Sequence, residues 1–241
     1  MDLRLKIAAA ARMLSKAGCD PNDLTAQVSA RTEDGDDAFW ITPLEYCELT
    51  RPEDLIKVGF DRQQRAGGSE QSRVVNFYAA IYRRRPDVGA VIHTHAYHAA
   101  LLASLGEVAD LYNNRSIMFF EDQALYGDEL TLPPSDGTDA AEALGDKTVL
   151  LAKNHGIFVA AESVEKTTIL TISFATAARF HIEAKMLGAT PSFVPAGDAD
   201  AVQAQRKALI ERRDYQRSYL TTLWDANLRR LEHEDTYFAA G

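Results

Sequence analysis

Gly89-Ala90-Val91-Ile92-His93-Thr94-His95 is the stretch on which the reading of the whole chain turns. An apolar run follows the break at Arg85-Pro86-Asp87 and leads into two histidines with one residue between them. Its β-branched residues suit a buried strand, and side chains at i and i+2 of a strand share a face. His93 and His95 are therefore expected to project together from the strand's C-terminal end. A second run repeats the design: Val149-Leu150-Leu151-Ala152 ends in Lys153-Asn154-His155-Gly156, so each strand delivers histidine at its tip. Three neutral imidazoles facing one point form a metal site with open positions, the arrangement of catalytic zinc and non-haem iron centres. A lone histidine near a strand end is ordinarily a hydrogen-bonded core or surface residue. An H-x-H on a buried strand crowds two imidazoles into low dielectric and needs a reason.

The chain has 241 residues, a length suited to one large domain or two small ones, and its apolar share of 46% is ample for a core. The formal net charge is −9 and no basic block stands out, which argues against nucleic acid as a partner. Cys19 and Cys47 are the two cysteines and form no C-x-x-C pattern, as expected in a reducing cytoplasm. Met1-Asp2-Leu3-Arg4-Leu5-Lys6 lacks the apolar core of a signal peptide, and no run reaches the roughly 18 apolar residues of a membrane span. The expectation is a cytoplasmic protein that does not engage a membrane.

Periodicity places an amphipathic helix over Asp2 to Ala17, with Leu3, Ile7, Ala10 and Leu14 on one stripe and Gly18 as its stop. Ala26 to Arg31 and Ala38 to Thr42 read as paired strands across the acidic turn Glu33-Asp34-Gly35-Asp36-Asp37. Leu49 to Leu55 suggests one helical turn capped by Thr50, and Ile56 to Phe60 a short strand. Arg62 to Ser72 reads as loop, Val74 to Arg85 as helix, and Ala96 to Leu105 as a helix after the H-x-H strand. Tyr112 to Tyr126 resists assignment, with room for one strand. Pro133 to Gly137 is a loop, Asp139 to Leu144 a short helix, and Ile157 to Ala160 continues the sheet after His155. Ser163 opens a long helix to about Leu187. Pro191 to Gly197 is a break, and Ala199 to Leu231 a terminal helix. Alternating strands and helices predict an α/β layered domain.

The order of motifs resembles the class II aldolase/adducin family. The residues that carry the resemblance are Leu49-Thr50-Arg51-Pro52-Glu53-Asp54-Leu55, Ile81-Tyr82-Arg83-Arg84-Arg85-Pro86-Asp87-Val88, His93-Thr94-His95 and Asn154-His155-Gly156, in a match from about Leu5 to about Leu187. The resemblance implies a three-layer α/β/α fold around a mostly antiparallel or mixed sheet. It implies a single domain over 1–241 with a helical extension at about 199–241. It also implies a homotetramer with active sites between subunits. Members that keep all three histidines are metal-dependent lyases using zinc, manganese, cobalt or iron. Members such as adducin, which lack them, are structural.

The departures from the family pattern bear on the substrate. Counting back from Tyr82 puts the position of the family's catalytic glutamate at Val74, preceded by Ser72 and Arg73 where the family has two serines. The family's phosphate-binding Gly-Asn becomes Ala26-Gln27, and its Pro-Ser-Gly becomes Pro43-Leu44-Glu45. Valine neither ligates a metal nor moves a proton, and Glu45 puts a carboxylate where phosphate would sit. Phosphorylated sugars are therefore not the expected substrate. Decarboxylation needs an electron sink and an acid to return a proton to carbon, but no base to start it. The resemblance extends to family decarboxylases of hydroxylated aromatic acids, and to a non-haem iron branch that oxidatively cleaves aromatic side chains.

The expected activity is thus a divalent-metal lyase that decarboxylates a hydroxy-aromatic or 2-hydroxy carboxylic acid. His93, His95 and His155 are the expected ligands and Arg73 the expected partner of the substrate carboxylate. Tyr112 is the expected acid, with Tyr126 behind it. Glu70, Glu121 and Asp122 are candidate acids, although Glu70 reads more readily as an ordinary solvated loop carboxylate than as a displaced acid. His98, His181 and His233 read as polar or capping helix residues. Most of the aromatic side chains belong in the core. Three alternatives stay open: a non-haem Fe(II) dioxygenase, an aldolase on a non-phosphorylated substrate, and a non-catalytic scaffold.

Overall fold

In the computed structural model the H-x-H run forms an inner strand of an eight-stranded sheet. The structure describes residues 1–20, 24–72, 74–127, 136–191, 199–211, 213–214 and 217–235. In chain order the strands are β1 (Gln27–Arg31), β2 (Ala38–Ile41), β3 (Ile56–Gly59), β4 (Gln64–Ala66), β5 (Ala90–Thr94), β6 (Gln123–Tyr126), β7 (Val149–Ala152) and β8 (Gly156–Ala161). They lie side by side as β4-β3-β2-β1-β5-β8-β7-β6. Only the β6–β7 pair is parallel, so the sheet is mixed. Every residue of β5 is buried, and its alternation splits between two cores. Ala90 and Ile92 join one, and Val91 joins the other.

The helices cover both faces. On the Ala90/Ile92 face lie α1 (Leu3–Lys16), α3 (Tyr97–Ser104), α5 (Val164–Met186) and α7 (Tyr219–Glu234), supplying Leu14, Leu102, Phe174 and Trp224 to the core. On the Val91 face lie α2 (Val75–Arg84) and α4 (Thr138–Leu144), with Phe77, Tyr78, Ile81 and Leu144. The result is the three-layer α/β/α architecture with a mixed sheet that the sequence predicts. Local chemistry sets the ends: Asp2 caps α1 by accepting from the Arg4 amide, and Ser163 caps α5 by accepting from the Lys166 amide.

Several expected elements are corrected. The Leu49–Leu55 turn is two short 3₁₀ turns, Cys47–Leu49 and Pro52–Asp54. Thr50 closes the first turn, its amide donating to the Cys47 carbonyl, rather than opening a helix, and at the start of the second the Asp54 side chain accepts from the Arg51 amide. The expected loop at Arg62–Ser72 contains the edge strand β4, whose three residues are all exposed and so carry no apolar signal. Apolar Ile117 to Phe119 lies in a 3₁₀ turn (Ser116–Phe119), and the strand of that region is β6 beyond it. The terminal helix is broken into α6 (Ala199–Glu211) and α7, with the short pair β9 (Arg213–Asp214) and β10 (Arg217–Ser218) between them. Ser218 explains the restart, because its hydroxyl accepts from the Thr221 amide and caps α7. Most of the expected Pro133–Gly137 loop, residues 133–135, lies outside the described residues. Among the described residues no helix is long and apolar enough to cross a membrane.

One buried ion pair ties the C-terminal helix to the first. The Arg12 guanidinium donates to the Thr50 carbonyl and, at 2.8 Å, to Asp235 just past α7. Both side chains are largely buried, so Asp235→Asn removes, in low dielectric, the carboxylate charge that faces the guanidinium at 2.8 Å. The expected loss is about 3 kcal/mol in urea unfolding. Arg179→Ala, which removes the exposed Arg179–Glu183 pair, is expected to change stability by less than about 0.5 kcal/mol.

Cys19 and Cys47 are free and buried. Burial pushes the Cys19 thiol up to about 12 and holds the Cys47 thiol well above its ordinary value, so neither is a thiolate at neutral pH. Both are expected to resist an aromatic disulfide reagent at pH 8 in the native protein and to react together once it is unfolded.

Candidate metal centre

Three local devices bring the histidines together. The first is the register of the central strands, which sets His93 opposite Gln27 on β1 and Phe158 on β8. The His93 ring is buried against Phe158, and its Nδ1–H donates to the Ile157 carbonyl at 2.8 Å. A carbonyl only accepts, so Nδ1 carries the proton and Nε2 carries the lone pair. Burial, with His95 and His155 adding to it, holds His93 well below the usual histidine range and so keeps the ring neutral.

The second device turns the chain at His95. β5 ends at Thr94, and His95 is the first residue beyond it rather than a strand residue. The Thr94 hydroxyl donates to the Cys19 carbonyl and accepts from the Ala96 amide, which directs the chain into α3. The His95 ring stands edge-on to His93, with centroids 4.9 Å apart and planes at 86°.

The third device is the β7–β8 hairpin. β7 stops at Ala152, which pairs with Gly156, and Lys153-Asn154-His155 forms the turn between them. His155 therefore sits on a turn and not at a strand tip. Asn154 takes the left-handed conformation at φ +57, which asparagine tolerates better than most residues. Gly156 is needed for space. A Cβ there would stand 2.7 Å from the Thr94 carbonyl oxygen and 2.5 Å from His95 Cδ2. In Asn-His-Gly the asparagine makes the bend, the histidine faces the centre, and the glycine leaves room for His95.

The outcome is a cluster in which one ligand atom from each of His93, His95 and His155 lies within 4.8 Å of the others. The Nε2 atoms of His95 and His155 are 3.2 Å apart. Two nitrogens bound tetrahedrally to a divalent ion at about 2.0–2.1 Å would stand about 3.3 Å apart, so the donor set and spacing fit such an ion. Among the described residues no carboxylate joins the group.

The Class II Aldolase and Adducin N-terminal domain model matches residues 5–182. The chain belongs to that family. Two similar proteins are a 4-hydroxy-3-prenylphenylpyruvate oxygenase/4-hydroxy-3-prenylbenzoate synthase of Streptomyces roseochromogenus subsp. oscitans and the decarboxylase NovR of Streptomyces niveus, each 29% identical over 168 residues. The alignments take in 68% of this chain but 61% and 62% of those proteins, so the chain spans about three fifths of their length. An aldolase II superfamily protein from Pseudomonas syringae shares the fold, with a TM-score of 0.83 at 22% identity over 98% of this chain and 94% of that one.

The other candidate residues fall elsewhere. Arg73 lies outside the described residues. Val74 caps the start of α2, and Glu70 is exposed in the segment before it. Tyr112 places its ring edge-on to His181 and donates to the Ala189 carbonyl at 3.3 Å, so within this chain it makes neither a hydrogen bond nor a ring contact to the three histidines. Tyr126 packs edge-on against Phe77. Glu121 accepts from Gln203, while Asp122 accepts from the Thr148 amide and pairs with Arg206. His181 is not solvated: it is buried, donates to Glu107 and accepts from the Asp110 amide. Phe158, the Ile157 carbonyl and the spacing role of Gly156 were not singled out in sequence. The available signal was their place on the strand that follows Asn-His-Gly.

Gly156→Ala tests the spacing. The added methyl is expected to cost about 1–3 kcal/mol of stability. It is also expected to weaken Zn(II) binding by at least about tenfold in a competition titration, because His95 must move.

Proposed function

We propose that this protein is a divalent-metal-dependent lyase that cleaves a carbon–carbon bond, and that the reaction is decarboxylation of a hydroxylated aromatic or 2-hydroxy carboxylic acid. One observation carries the reading: three imidazoles converge with no described carboxylate among them, while valine stands where family aldolases place their glutamate. His93, His95 and His155 would hold the ion. When bound, it would supply Lewis acidity and a sink for the electrons of the breaking bond. Zinc and iron suit an imidazole donor set, and manganese and cobalt are the other ions that the family resemblance implies.

The chain's own residues do the remaining work. The Ile157 carbonyl keeps the His93 lone pair on Nε2. The apolar wall of Phe158, Phe77 and Tyr78 excludes water from one side of the centre. Loss of CO2 requires no base, which suits a site without a glutamate. Arg73 is assigned to the substrate carboxylate by its place in the motif, in a bidentate pairing. Tyr112 is assigned the return of the proton to carbon. In one chain it faces His181, so it is proposed to act across a subunit boundary. The exposed apolar residues Tyr97, Leu105, Val108 and Leu125 support self-association, with a homotetramer as the family expectation. The same reading takes 1–241 as one domain with its helical extension at about 199–241, and places the protein in the cytoplasm.

The oxygenase named among the similar proteins supports one rival, a non-haem Fe(II) enzyme acting on a related aromatic acid. Purified protein supplied anaerobically with a panel of hydroxybenzoates and 2-hydroxy-2-aryl acetates separates them. A decarboxylase is expected to contain one metal per chain and release CO2 without O2, and His95→Ala is expected to lose both metal and turnover. Strict O2 consumption with an iron preference would establish the rival. Absence of stoichiometric metal from the wild type would leave a non-catalytic scaffold.

A further inference from the structure

Four aromatic rings follow one another along one face of the sheet at the histidine cluster. Phe77 of α2 stacks on Phe158 of β8 with centroids 5.3 Å apart and planes at 26°. Phe158 stacks on His93 at 4.3 Å and 21°, and the His93 and His155 rings stand nearly parallel, with centroids 5.1 Å apart and planes at 10°. Tyr78 braces Phe158 edge-on at 5.9 Å, and Tyr126 braces Phe77 at 6.3 Å. Phe158 is fully buried and sits directly opposite His93 in the β5–β8 ladder. Directly paired side chains on one face of a sheet are nearest neighbours, so this stack follows from the register.

The bond from His93 Nδ1 to the Ile157 carbonyl anchors one edge of the imidazole, and a single bond leaves the ring able to tilt about the line joining its two atoms. The lone pair on Nε2 lies in the ring plane, so a tilt carries it off target. Phe158 lies against that ring with the planes 21° apart, so a tilt drives the imidazole into it and is blocked.

We propose that Phe158 is a positioning residue of the metal centre, whose stacking on His93 sets the plane in which that imidazole meets the ion. The inference rests on the metal reading above. Phe158 itself touches neither ion nor substrate. A leucine in its place fills most of the volume but offers no flat face, and a methionine matches the volume more closely with the same lack.

The test compares wild type, Phe158→Leu, Phe158→Met and Phe174→Leu, each stripped by chelation and titrated with Co(II). Phe174 is equally buried but packs edge-on to Phe119 in the core on the other face of the sheet, so it controls for the loss of a buried ring. Both Phe158 variants are expected to bind Co(II) about tenfold more weakly and to shift its visible absorption bands, while Phe174→Leu loses thermal stability but keeps Kd within about twofold and the bands in place. Should Phe158→Leu not fold, Phe158→Met carries the comparison. Should neither fold, Phe77→Leu, one ring further along the stack, is expected to show the same shift in smaller measure. Unchanged Kd and bands in the Phe158 variants, or in Phe77→Leu where it must serve, would overturn the inference. So would a shift in Phe174→Leu as large as theirs. A wild type that takes up no Co(II) would instead overturn the metal reading itself.

Discussion

The hydrogen bond from His93 Nδ1 to the Ile157 carbonyl is the constraint on which the site depends. It exists because β5 and β8 pair antiparallel in one register, with His93 opposite Phe158. A slip of one residue would turn His93 to the other face and put Thr94 in its place. That register is secured by burial on both faces, since Val91 and Ile92 must find different cores. The same alternation that sorts the apolar side chains therefore sorts the donor atoms. The fold and the centre share one determinant, because a ligand on a doubly covered strand cannot rotate away from its task.

Much of this was legible in the sequence, for a physical reason. H-x-H at the end of an apolar run and Asn-His-Gly at the end of another mark two strands, β5 and β7, that lie on either side of β8. The helices α1, α2, α3 and α5 follow from period and caps. Other features were illegible because their signal is not local. Three exposed residues make β4, which exists only as a partner for β3. The break between α6 and α7 depends on Ser218, one of many serines until the cap forms. His181 looks like a polar helix residue, and its burial comes from Glu107 and Asp110, more than seventy positions away.

The site illustrates how a small residue can matter as much as a ligand. Gly156 holds no ion and has no side chain, yet the space beside it belongs to His95 and the Thr94 carbonyl. Asn154 likewise contributes a backbone angle. Read as a bare tripeptide, Asn-His-Gly offers one donor. In the folded hairpin each of the three residues meets a separate requirement of turn, donor and clearance, and substitution at any one of them would be felt at the other two.

The distribution of charge bears on which chemistry such a centre favours. Among the described residues the carboxylates nearest in the motif order are engaged elsewhere or exposed: Asp122 with Arg206, Glu121 with Gln203, and Glu70 on the surface. A cluster of three neutral imidazoles leaves a bound divalent ion with its full positive charge, whereas a carboxylate ligand would cancel part of it. The higher charge favours an anionic substrate and stabilises negative charge developing on carbon or oxygen. An aldolase that must remove a proton needs a base beside that charge. A reaction in which the carboxylate departs as CO2 and leaves its bonding electrons behind needs no such base, and valine at position 74 is then no handicap.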